Sequence, residues 1–174
     1  TLSTGEKIEN PRFFKKGEEV LANRQRALAR KQRGSGTRKA AKLLVGRAQE
    51  HVANQRLDHA RKLAAELFAH YDLVAYEDLN IKGLARSALA KSIHDAGWSV
   101  FMSALKSKAE KAAKWAVAVD PRKTSVACSA CSREVPKALS DRVHRCPCGL
   151  TMDRDENAAR NILDRGKRLL QAGA

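Results

Sequence analysis

Between Cys128 and Ile162 the sequence reads CSACSREVPKALSDRVHRCPCGLTMDRDENAARNI, four cysteines running directly into a cluster of acids. Cys128 and Cys131 form a C-x-x-C, fourteen residues intervene, and Cys146 and Cys148 close the set as C-P-C-G. Two turns that each present two thiolates can surround one zinc ion tetrahedrally. Pro147 fixes the tighter second turn, and Gly149 permits a backbone conformation that other residues resist. A pair of disulfides is the alternative, but with every cysteine confined to this cluster an oxidised framework is poorly motivated. Four Cys fill the coordination sphere, so the zinc would be structural rather than catalytic.

Asp153, Asp155 and Glu156 follow the last cysteine, and from Asp155 the pattern is helical. Ala158, Ile162 and Leu169 lie along one side, with Ala159, Leu163 and Leu170 beside them. Acids at a helix start ordinarily cap it and complement its dipole. They could also share a divalent ion with a carboxylate from a neighbouring strand. Glu77 is placed for that: Leu73-Val74-Ala75-Tyr76 is the best candidate for a buried strand, and Glu77 ends it. Carboxyl ends of strands are where chemistry collects in open α/β sheets, although an acid there can also merely begin a turn. Asp120, before Pro121, is expected to be a turn former.

Elements must bring these groups together, and the charge says what they would meet. The 174 residues carry 34 Lys plus Arg against 19 Asp plus Glu, a net +15, which points to a polyanion, most simply nucleic acid. Hydrophobic content of 43% supports a folded chain, and no apolar run approaches the ~18 residues of a membrane span. From Arg12 to Lys62 fifteen Lys or Arg face only four acids, leaving +11 in that stretch. Arg24, Arg26, Arg30, Lys31, Arg33, Arg38, Lys39 and Lys42 are the expected phosphate contacts. Few aromatics are interleaved, so backbone contact rather than base stacking is implied.

In chain order, residues 1–14 are expected to form a hairpin of strands turning at Gly5. Residues 15–70 form a basic helical hairpin. Its first helix runs from about Lys16 through Val20, Leu21, Leu28 and Ala29 to a break at Gly34-Ser35-Gly36. The second runs from about Arg38 to His70, packing through Leu44, Ala48, Val52, Ala53, Leu57, Ala60, Ala64 and Leu67. Residues 71–122 give a strand ending at Glu77, a loop over Asn80 to Ala90, a helix opened by a Ser92/Asp95 capping box and continuing to Ala112, and a strand from Trp115 stopped by Pro121. Residues 123–152 carry the cysteines, and 153–174 the closing helix. The class is α/β.

The motifs Y-E-D-L-N-I-K-G-L around Glu77, T-S-x-x-C-S-x-C, C-P-C-G and D-R-D-E-N-A-A-R-N-I, in this order and spacing, resemble the OrfB/TnpB family of insertion-sequence proteins. The resemblance implies an RNA-guided DNA endonuclease related to type V CRISPR effectors. Such a protein has a RuvC-like, RNase H-type sheet with an inserted zinc ribbon, and works on DNA with a guide RNA in the prokaryotic cytoplasm, associated with the nucleoid. By motif, Glu77 matches the middle catalytic acid and Asp155 the last, together holding Mg²⁺. Cys128, Cys131, Cys146 and Cys148 match the ribbon ligands, and Arg154 and Asn157 look like neighbours that orient the site or the backbone. The family's first catalytic Asp sits in a G-I-D-x-G type segment that does not occur in this sequence. The sheet is therefore expected to lack its first strand and the metal site one acid, as in a piece of a longer parent whose N-terminal part is missing. The 174 residues alone are expected not to cleave efficiently. A non-catalytic nucleic-acid-binding zinc-ribbon module is the competing function. A zinc-ribbon ribosomal or transcription factor would leave Glu77 and D-R-D unused.

Overall fold

In the computed structural model, which describes residues 1–84, 97–138 and 140–172, the chain divides into two units. One comprises Asn10–Glu66 and Ile81–Lys108, the other Thr1–Glu9, Leu67–Asn80 and Ala109–Ala174.

The first unit is built on α1 (Phe13–Ala29) and the larger part of the 35-residue α2 (Gly36–His70). Glycine and serine make the reversal between them. Gly34 takes φ 84°, and Ser35 Oγ accepts the Arg38 amide at 3.2 Å as the cap of α2. Val52, Ala60 and Ala64 are buried along α2, the Phe13 ring meets His59 edge-on at 5.8 Å, and the Arg56 guanidinium lies 5.7 Å from the centre of the Phe14 ring. Leu44, expected to pack, is 45% exposed, because α1 offers Arg24 there instead of an apolar side chain, and Arg24 bonds the Leu44 carbonyl at 3.1 Å. Ala53, also expected to pack, is exposed as well, just past the stripe that buries Val52. The loop expected from Asn80 contains one helical turn, α3 (Ile81–Leu84). α4 (Trp98–Lys111) follows, burying Leu105, while the Ser92/Asp95 capping box lies outside the described residues.

In the second unit β1 (Leu73–Glu77) and β2 (Trp115–Val119) pair in parallel, with Ala75 opposite Val117 and Glu77 opposite Val119. Trp115 N to Asp72 O (2.9 Å) and Asp78 N to Val119 O (2.8 Å) carry the ladder past both ends. β3 (Val143–Arg145) and β4 (Thr151–Asp153) form an antiparallel ribbon, and β4 runs directly into α5 (Arg154–Ala172). α5 packs across β1 and β2 at Gly166, where an added Cβ would lie 2.6 Å from Ala75 Cβ. Asn157 and Asn161 face the loop that leads into the cysteines, and Gly166 meets the two strands. Leu169, expected on the packed side, lies about one turn past Gly166 and is 52% exposed.

The strands expected over residues 1–14 do not form. Leu2 N to Glu6 O (2.8 Å) and Gly5 N to Leu2 O (3.1 Å) make the turn, with Gly5 at φ 89°, but its flanks stay irregular and Phe13 and Phe14 belong to α1. Two short segments with little apolar surface beyond Leu2 and Ile8 gain too little from pairing alone. Lys7 instead bonds Asp153 at 2.7 Å.

Candidate functional site

The four cysteine sulfurs converge, all within 4.8 Å of one another, with Cys128 and Cys148 at 3.7 Å and Cys131 and Cys146 at 3.6 Å. All four are free thiols, so the disulfide alternative is not what the fold builds. A tetrahedron of sulfurs about 2.3 Å from a central metal has edges of about 3.8 Å, close to these spacings. The backbone sets this up identically on both sides: after the second cysteine of each pair, Ser132 and Gly149 adopt φ 61° and 96°. The turn expected at Gly149 is therefore present. Burial acts to raise the pKa of Cys128, but the amides of Ala130 and Cys131, with His144 and Cys146, outweigh it and bring that thiol down to about 6. The Cys148 amide favours ionisation of Cys146, yet burial and the sharing of protons with the neighbouring thiols push it up to about 12. Without a cation the cluster holds only part of its possible negative charge.

Two carboxamides fasten this cluster to α5. Asn157, fully buried, accepts the Ser129 amide at 2.9 Å and donates to Ala127 O at 2.8 Å. One turn on, Asn161 donates to Thr124 O and Ala127 O, each at 2.8 Å. Asn157 thus holds the peptide groups of Ala127 and Ser129 beside Cys128. Asn161 was not expected to act, although a second carboxamide four residues on, on the same helical face, is a signal that could have found it.

Thr124, buried, donates to Glu77 Oε1 at 2.6 Å across 47 residues of sequence and also faces Pro121 O at 3.0 Å. Spacing gave no sign of this bond. Glu77 is half-buried at the end of β1, as expected. Asp155 stands exposed in the first turn of α5, with Arg154 Nε 3.3 Å from its Oδ1. The capping role belongs to Asp153, whose Oδ1 accepts the amides of Asp155 (2.8 Å) and Glu156 (3.3 Å). The bond from Lys7, together with those amides, holds the Asp153 carboxyl below the usual carboxylate range despite its partial burial. Asp120 is a turn former as expected, its Oδ1 accepting the Arg122 amide at 2.9 Å. Among the described residues the four cysteines are the one group of three or more Cys, His, Asp or Glu converging tightly enough to hold an ion.

In the first unit, Arg26, Arg30, Lys31, Arg33, Lys39 and Lys42 are exposed on the helical hairpin. Arg24 and Arg38 are half-buried and structural as well: Arg38 Nη1 donates to Leu28 O (3.1 Å) and Lys31 O (2.9 Å), closing the end of α1. No helix among the described residues is long and apolar enough to cross a membrane.

The OrfB_IS605 family, described as "Probable transposase", matches residues 1–88, just over half of the chain. The chain belongs to the OrfB/TnpB family. A second family, "Cas12f1-like, TNB domain", matches residues 98–162, spanning the cysteines and the start of α5. This OrfB/TnpB chain is 38% identical over 169 residues to a Streptomyces pristinaespiralis protein named as an RNA-guided DNA endonuclease, covering 95% of the chain and 42% of that protein. It is 31% identical over 191 residues to an Escherichia coli K12 protein named as the RNA-guided DNA endonuclease InsQ, covering 99% and 48%. It thus spans less than half the length of either relative. In fold it is similar to Cas12f1, solved with its guide RNA and target DNA, with a TM-score of 0.57 over 89% of this chain and 42% of that one at 18% identity.

Proposed function

We propose that this chain is the C-terminal part of a transposon-encoded RNA-guided DNA endonuclease. In this reading the second unit is a RuvC-like, RNase H-type core with an inserted zinc ribbon, and Glu77 and Asp155 are two of the acids that hold Mg²⁺. The observation that carries it is how these two acids are treated. Asp153 takes the helix-capping work and leaves Asp155 open, while Thr124 fixes the rotamer of Glu77 with a 2.6 Å bond instead of burying it in an ion pair. Divalent ions, when bound there, would supply electrostatic stabilisation and a more acidic water for phosphodiester hydrolysis. The protein's own share is to keep Glu77 pointed and to hold α5 in register with β1. The cysteines would hold zinc: four thiolates at tetrahedral spacing suit that ion and leave no position for water. Arg26, Arg30, Lys31, Arg33, Lys39 and Lys42, with Arg24, Arg38 and Arg154 in mixed roles, would neutralise DNA or RNA phosphates.

Glu77 and Asp155 are two of the three acids that the resemblance implies, and the motif that carries the first does not occur in the sequence, which favours slow or absent cleavage by these 174 residues alone. The same observation is what favours the second reading, a nucleic-acid-binding module without catalysis. A chimera decides between them, with residues 1–174 replacing the matching segment of the Streptomyces relative. Guide-directed, Mg²⁺-dependent cleavage that falls at least about 100-fold with Glu77→Gln or Asp155→Asn is expected of electrostatic groups at the reacting centre. A chimera that binds guide and target but never cuts, or cuts regardless of both substitutions, would leave the binding module as the function.

A further inference from the structure

His144 is a fully buried residue that none of this chemistry uses, and burying an imidazole demands partners for both ring nitrogens. It lies in the middle of β3, paired with Met152. Along this stretch Val143 and Arg145 are exposed while His144 and Cys146 are buried, so His144 and Cys146 share the face on which the sulfurs gather. Nδ1 is met by Nζ of Lys137, which also donates to Ser125 O at 2.8 Å. An ammonium has donors only, so Nδ1 must accept and the ring proton must sit on Nε2. Among the described residues Nε2 has no hydrogen-bond partner. Neither ring nitrogen belongs to the group of converging ligand atoms, so His144 is not a fifth ligand.

We propose that the Nε2–H of His144 is the hydrogen-bond donor to the Cys128 thiolate of the metal-loaded cluster, with Lys137 fixing the tautomer that makes it a donor. Cys128, at 1% exposure, is the most buried of the four cysteines, so a ring enclosed on the face of the sulfurs meets it where water does not. A tetrathiolate site carries excess negative charge, and a donor aimed at one sulfur disperses it where water cannot. His144 is thus a positioning residue, and Lys137 acts through it. The proposal rests on the zinc reading, and its test separates the two.

Zinc stoichiometry and affinity are measured for the whole chain by competition with a chromophoric chelator, alongside His144→Phe, His144→Gln and Lys137→Met. One equivalent of zinc bound by the unsubstituted chain supports the zinc reading; none overturns that reading and this proposal with it. Given binding, His144→Phe is expected to lose about 10- to 100-fold in affinity, with His144→Gln recovering part of the loss through its own N–H and Lys137→Met falling between. All should keep a tetrathiolate spectrum with Co²⁺. Equal affinity for the Phe variant and the parent would overturn the proposal. Should the Phe variant not fold, the ¹¹³Cd-loaded parent decides by NMR. A scalar coupling between the His144 Nε2 proton and cadmium supports the hydrogen bond, and a rapidly exchanging or uncoupled proton refutes it.

Discussion

Substituting Gly166 by alanine probes the close approach of α5 to β1. An ideal Cβ there would sit 2.6 Å from Ala75 Cβ and 3.7 Å from Ala75 Cα. Carbon atoms rest about 3.5–4.0 Å apart, so the shortfall is roughly 1 Å. Ala75 Cβ is fixed to the backbone and has no rotamer to escape into, so α5 itself must back away from the sheet. Overpacking typically costs about 1–3 kcal/mol, and a shortfall this large against a backbone-fixed atom belongs to the upper part of that range, about 2–3 kcal/mol, against roughly 1 kcal/mol that alanine returns as a better helix former than glycine. The expected net loss is about 1–2 kcal/mol, or a fall in Tm of about 2–8 °C. Urea titration followed by circular dichroism reads it, with Gly46→Ala as the matched control. Gly46 is exposed within α2 with nothing inside 4 Å of its would-be Cβ, so the same substitution should stabilise there by up to about 1 kcal/mol. Pairing Gly166→Ala with Ala75→Gly should recover stability beyond additivity. A neutral or stabilising Gly166→Ala, or strict additivity in that cycle, would refute the packing argument.

Asp153→Ala should cost about 1 kcal/mol by removing the cap of α5. Because the folded pKa of Asp153 is lowered, its contribution is present above the unfolded value of about 3.9 and lost as pH falls through the folded one, so an acid titration of the Ala variant should be flatter below about pH 4. With Cys128 near 6 and Cys146 near 12 in the absence of metal, zinc must displace thiol protons; chelator competition at about pH 6 and about pH 8 should show tighter binding at the higher pH, with proton release by calorimetry. Arg38→Met should destabilise the α1–α2 turn by about 1–2 kcal/mol while Lys39→Met leaves stability within about 0.5 kcal/mol. Lys39→Met should instead weaken duplex binding uniformly across sequences and lower its salt slope by about one.

The longer helices, both parallel strands and the cysteine cluster were legible because each leaves a local mark: hydrophobic period, an apolar run ended by an acid or a proline, a thiol spacing. The start of α2 at Ser35-Gly36 and the turn former Asp120 follow from side chains bonding their immediate neighbours, whereas α1 stops at Ala29, short of the glycines. What periodicity could not give were bonds across long sequence separations. Thr124 to Glu77 spans 47 residues and is set by the pairing of β1 with β2, and Asn157 to Ala127 spans 30 and is set by where α5 meets the loop into the cysteines. Leu169 and Leu44 failed for the complementary reason: an apolar residue at the right period is buried only if a partner surface faces it. At residues 1–14 the turn residue Gly5 suggested strands on either side where too little apolar surface exists to hold them.

The hydroxyl of Thr124 has a single proton and two acceptors within reach, Glu77 Oε1 at 2.6 Å and Pro121 O at 3.0 Å. With the carboxylate unengaged, the charged oxygen is the stronger attraction. Should a cation claim that oxygen, the proton can swing to the Pro121 carbonyl by rotation about one bond. Neither state strands a buried donor, and no peptide has to move. The side chain works as a changeover contact, letting Glu77 exchange partners while the loop that roots the cysteines stays still.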